Sequence, residues 1–228
     1  MLVRLLQFAS PMLPIGAFSY SSGLESAIES GDIDDAESGA QWIGSVLEWS
    51  LARQDGPLVA AAHREWSTLG GSQIAQLQHL NDLAFAIRET SELRLESTQT
   101  GHSLAVWIER TLDPTEDFRV AIEALRPIAY PIAWAAGGVQ MELSERDTVL
   151  GMLWGFVENQ ASALMKALPL GQTPAQRMML ALGPQIERAT DEALERSVSI
   201  LQTAAGAMPA LAIASMRHET QYSRLFRS

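Results

Sequence analysis

The chain has no cysteine and a single lysine, Lys166; its other basic side chains are all arginine. Without cysteine there is no disulfide, no thiolate metal site and no cysteine nucleophile, and the composition fits a reducing compartment. Positive charge is scarce overall. Sixteen Lys and Arg stand against 27 Asp and Glu, for a net charge of −11. Such a chain lacks the basic stripe that phosphate backbones require and is repelled by anionic lipid; it suits a basic protein partner, or simply solubility. Also missing are a P-loop, a Gly-x-Gly-x-x-Gly turn and a Gly-x-Ser-x-Gly elbow. Histidine is sparse as well. His63, His79, His102 and His218 are the only four, and none pairs with another at metal-ligand spacing. The expectation is a protein with no catalytic residue, no cofactor and no metal site within one protomer. A symmetric dimer could still bring two copies of one histidine together, with His218 the first candidate.

No bilayer-spanning segment is expected either. The uncharged run 127–141 is too short and carries Pro131, Gly137 and Gly138. The apolar start, Met1 to Phe8 with Arg4 inside it, looks like a signal peptide only until Pro11 and Pro14, and no small-residue cleavage site follows. The chain therefore reads as soluble.

What is present is helix. Ser144-Glu145-Arg146-Asp147 reads as a capping box. Asp113-Pro114-Thr115-Glu116 and Thr173-Pro174-Ala175-Gln176 place a cap before a proline at the first helical position. In the acidic run Asp32-Ile33-Asp34-Asp35, which follows Gly31, aspartate suits a helix start better than a magnesium site. Val149, Leu153, Phe156, Val157, Leu164 and Leu168 recur at helical spacing, and no period-2 run or Asn-Gly hairpin turn competes. The pattern predicts helices over 21–30, 36–53, 57–69, 72–111 (with a break near Thr90), 114–125, 129–136, 144–168 and 174–204 (with a kink at Gly183-Pro184). Segments 1–20 and 205–228 show no regular period. The fold expected is all-α: a single-domain helical bundle over 1–228, with an extended N-terminal segment and a flexible C-terminal tail.

Four segments carry a family likeness. They are LLQFASPMLPIGAFSYSSGLE at 5–25, the stretch from Arg88 to Gly101, the stretch from Asn159 to Gln176, and SMRHETQYSRLFRS at 215–228. Taken in order, they resemble the UreF family of urease accessory proteins, whose opening signature has the form SPxLPxGxFSYSxGLE. One departure is clear: the family usually has a histidine before the central proline, and here Tyr130 precedes Pro131. The role of that histidine does not carry over.

The resemblance implies a dimeric, all-α, non-enzymatic scaffold acting in nickel insertion. Its implied partners are UreD (also called UreH), the GTPase UreG and, through the complex, apo-urease. Several residues then admit two readings. Tyr20 and Glu25 either dock on the bundle, Glu25 at a favourable helix start, or are displayed to a partner. Lys166 either suits a helix C-terminus or touches the GTPase, and Tyr20, Glu25 and Lys166 are expected together on one exposed patch. The tail, with His218, Tyr222, Arg224, Leu225, Phe226 and Arg227, is either disordered or folds onto UreD through aromatic and arginine anchors; on the second reading its loss leaves stability nearly unchanged. An alternative function is a GTPase activator lending Arg94 or Arg88 as an arginine finger. A third, a helical hydrolase using the acidic loop, lacks a nucleophile–base pair.

Overall fold

The computed structural model describes residues 1–200 and 208–228. The parts of the expected segments that fall on 201–207 lie outside the described residues. Among the described residues there are eleven α-helices and no strand. They are α1 (Leu2–Phe8), α2 (Leu24–Glu29), α3 (Ala36–Val46), α4 (Asp55–Ser67), α5 (Gly71–Ala86), α6 (Ser91–Thr111), α7 (Glu116–Ala124), α8 (Tyr130–Gln140), α9 (Glu145–Ala167), α10 (Gln172–Arg196) and α11 (Pro209–Glu219). A π-helical turn, Leu47–Leu51, continues α3. No helix among the described residues is long and apolar enough to cross a membrane.

Several boundaries follow from caps visible in the sequence. Asp35 accepts from the amides of Glu37 and Ser38 and starts α3. Ser144 accepts from Asp147 N and starts α9. Thr90 accepts from Leu93 N, which ends the long 72–111 pattern as two helices, α5 and α6. Two caps fall elsewhere. Asp113 has a left-handed φ of 48° and pairs with Arg119, so Thr115 precedes α7. Helix α10 starts ahead of Thr173, at Gln172, and runs on through Pro184.

Helix α8 lies at the centre, packed on α4 and α6 and touching α9. Its sequence, YPIAWAAGGVQ, is apolar all round, as a helix enclosed on every side must be. Each large apolar side chain buried there contributes about 1.5–3 kcal/mol. Its polar fixings are few. Trp66 Nε1 donates to the Ile132 carbonyl at 3.1 Å and Trp134 Nε1 to the Thr148 carbonyl at 2.8 Å. Small residues set the spacing: a Cβ at Gly101 on α6 would lie 2.2 Å from the Ile128 carbonyl oxygen.

The two ends of the chain depart from expectation. Segment 1–20 opens with a helix, α1, whose Phe8 is fully buried between the rings of Trp134 and Trp107 at 4.1 and 6.0 Å. No side chain caps α1; seven residues cannot sustain a helix alone, so packing on the core supplies what propensity lacks. The C-terminal segment is not a loop throughout, since α11 fills 209–219 with Leu211, Ala214, Ser215 and His218 on its buried face.

Candidate functional site

The four segments of the family likeness, far apart in sequence, meet at one place. Helix α11 lies on α2 and α6. Gly23, at φ +81°, opens α2 and lets it in: a Cβ there would lie 3.2 Å from Ser215 N and 3.3 Å from the Ala214 methyl. Thr90 and Ser215 share a hydrogen bond of 2.7 Å between hydroxyls. Glu219 accepts from the amides of Ser91 and Glu92 at 3.1 and 3.4 Å, so α11 caps the start of α6. The Ser91 bonds hold the Glu219 carboxyl below its ordinary pKa.

At the centre of this junction is His218, fully buried. Its Nδ1 is 2.8 Å from Glu92 Oε2 and its Nε2 is 3.2 Å from Glu25 Oε2. A histidine ring offers N–H donors from both nitrogens only when protonated. Glu25 does more than face the ring. Its Oε1 accepts from Leu225 N at 2.7 Å and its Oε2 from Phe226 N at 3.0 Å. Arg224 Nη1 reaches Glu92 Oε1 at 2.9 Å, and its Nη2 donates to the Glu219 carbonyl at 2.6 Å. The tail then pairs with the N-terminal motif through its backbone: Arg227 N donates to Ser19 O at 2.8 Å and Ser21 N to Ser228 O at 2.7 Å. From the third segment, Asn159 and Gln160 donate to the carbonyls of Tyr20 and Ser21, each at 3.0 Å.

This geometry corrects several expectations. Tyr20 and Glu25 are not displayed: they are 3% and 7% exposed, and the Tyr20 hydroxyl donates to Gln99 Oε1. His218 is enclosed, so it cannot meet a second copy across a dimer axis. Phe226 is buried, while Tyr222, Leu225 and Arg227 face outward. Lys166 is exposed, with its ammonium 5.9 Å from the Phe18 ring and 5.4 Å from that of Phe226, close enough for cation–π attraction. Arg94 is exposed on α6 and donates to the Phe85 carbonyl at 3.2 Å. Arg88 is no free finger. It makes a buried two-pronged pair with Asp55; burial opposes its charge, but the Asp55 carboxylate more than restores it.

A cavity of about 200 Å³ is lined in part by Asp55, Arg88, Glu96, Tyr130 and Trp134. Glu96 accepts from Ser22 Oγ at 3.1 Å and from Ser228 Oγ at 2.8 Å. Burial raises its pKa, against the pull of those two hydroxyls and of Arg88. Burial likewise raises the pKa of the Tyr130 phenol, which keeps it protonated. By sequence alone, Glu92 and Glu96 sit among charges of alternating sign on one helix (Arg88, Glu89, Arg94), a pattern that reads as a solvated face. No group of three or more His, Cys, Asp or Glu among the described residues is arranged to hold a metal ion.

The family model named UreF matches residues 33–183. Over its whole length the chain is 43% identical to the urease accessory protein UreF of Azoarcus sp. (strain BH72), covering 95% of that protein. It is 41% identical to the protein of the same description from Cupriavidus taiwanensis, covering 97%. To the one from Chromohalobacter salexigens it is 43% identical, covering 94%. These relatives match along the full chain, so the likeness takes in both ends that build the junction, although the family model stops short of them.

Proposed function

The chain belongs to the UreF family of urease accessory proteins, and on that premise we propose that it is a non-catalytic scaffold for assembling the urease nickel centre. On this reading it binds UreD (UreH) through the edge where its two ends meet. As a homodimer in the cytoplasm, it then recruits the GTPase UreG, and nickel is the cargo of the complex and not a resident of this chain. The observation that carries the reading is the junction itself. The protein is strongly acidic, yet its outward edge at the tail offers Lys166, Arg227, Leu225 and Tyr222 together. Desolvated aromatic and aliphatic anchors flanked by arginine are what interfaces use for binding energy.

The test is co-purification. Wild-type protein should carry UreD and, with it, UreG. A Leu225→Ser, Tyr222→Ser double variant should fold normally, lose UreD and fail to activate urease in a reconstituted system. Retention of UreD by that variant at wild-type affinity would remove the edge from the interface. Deleting the tail is the weaker experiment. It removes the buried His218 and Phe226, so stability would fall with it.

A further inference from the structure

We propose that Glu25 is a positioning residue: with His218 and Glu92 it holds the last turn of the chain in the one shape that a partner can bind, without touching that partner itself. This rests on the reading above, that the tail edge is where UreD docks.

Residues 221–228 form no helix or strand, so no regular ladder satisfies their amides. Fixing each such residue costs about 1–2 kcal/mol of conformational entropy, and of the apolar side chains there only Phe226 is buried. The tail keeps its shape because charged groups beneath it take its backbone bonds. Glu25 accepts two consecutive amides, those of Leu225 and Phe226. Two successive N–H groups on one carboxylate fix the direction of both residues between them: Phe226 turns in towards Lys166, and Leu225 and Arg227 turn out. Glu25 is kept in place by His218, His218 by Glu92, and Glu92 in turn takes Arg224 from the tail's other side. Among the described residues, the charged groups paired with His218 are Glu25 from α2 and Glu92 from α6, with Arg224 behind Glu92.

The displayed edge defines the partner's chemistry. Leu225 and Phe18 are 69% and 61% exposed. Beside them, Lys166 and Arg227 make no ion pair with the described residues. Uncompensated cations on a protein of net charge −11 fit a partner whose apolar groove carries an acidic rim.

The experiment compares an inner variant with an outer one. The full-length protein is studied as wild type, Glu25→Gln and Leu225→Ser, by amide exchange over 221–228 and by affinity for UreD. An amide side chain has a single acceptor oxygen, so Glu25→Gln should speed exchange at Leu225 and Phe226 at least tenfold and weaken UreD at least tenfold. Leu225→Ser should weaken UreD with exchange unchanged. If Glu25→Gln frees the tail but UreD binds as before while Leu225→Ser fails, the pre-shaped tail is wrong and the docking reading survives. If Glu25→Gln loses UreD with tail exchange unchanged, Glu25 acts by some other contact and the proposal falls. If all three proteins bind alike, the docking reading falls with it. Should Glu25→Gln lose its helical signal, Glu92→Gln removes the outer arm of the same clamp and is judged by the same outcomes.

Discussion

Helices α8 and α11 are of equal length, eleven residues each, and are held in opposite ways. Helix α8 is enclosed by apolar side chains and small residues, with two tryptophan N–H bonds as its main polar fixings. Helix α11 lies at the edge and is held by hydroxyls and charges: Thr90 on Ser215, Ser91 on Glu219, and His218 between two carboxylates. The difference is one of kind. Apolar packing is non-directional and grows with area, so it makes a core that tolerates exchange of similar shapes. A buried polar cluster works only when every member is present, so it fixes one geometry. The centre of this molecule is built for stability, and its edge for shape.

The comparison can be broken first at its apolar end. Phe8→Ala removes a fully buried ring packed against Trp134 and should cost about 3–5 kcal/mol, read as a fall in the urea midpoint. A loss below about 1 kcal/mol would mean that α1 is not part of the core. At the polar end, Glu25→Gln takes one acceptor from two backbone amides and removes a charge facing His218. The expected loss is about 1.5–3 kcal/mol. It should be accompanied by local loosening of 221–228, whereas Phe8→Ala should lower the global midpoint without that local signature. Equal loosening in both would erase the distinction between core and edge.

Much of the centre was legible in sequence because its signals are local. Thr90, Ser144 and Asp35 cap helices where a hydroxyl or carboxylate precedes a periodic run. The ends were not legible, for different reasons. Helix α1 has seven residues and no side-chain cap, so only tertiary contact makes it helical. Helix α11 did carry a signal: Pro209 at the first helical position, then Leu211, Ala214, Ser215 and His218 at spacings of three and four. In the tail around it, charge and aromatics stand out more than period. Glu25 is the clearest limit. Its helix-start position was visible, but its contacts with Leu225 and Phe226 span 200 and 201 residues, and no local pattern encodes such a pairing.

The finest test of the comparison lies between two carboxyl groups on either side of the tail. Glu25 faces two backbone amides, donors that cannot turn away, and the His218 ring. Glu96 takes its side-chain hydrogen bonds from the hydroxyls of Ser22 and Ser228, which can rotate to accept instead of donate. Burial raises the Glu96 pKa, and the nearby Asp55 charge adds to that. A carboxyl whose folded pKa lies above its unfolded value binds its proton more tightly in the native state. Its contribution is therefore complete below the unfolded pKa and is lost as pH rises through the folded one. Glutamine at this position has no proton to lose and keeps both an acceptor and a donor for the two hydroxyls. Glu96→Gln should therefore gain on the wild type as pH rises from about 4 to 8, with a change smaller than that of Glu25→Gln. Urea midpoints of both proteins across that range measure it. A gap that stays flat, or that turns against glutamine as pH rises, would show that Glu96 is ionised and held by its serines, and that it belongs with Glu25 in the clamp.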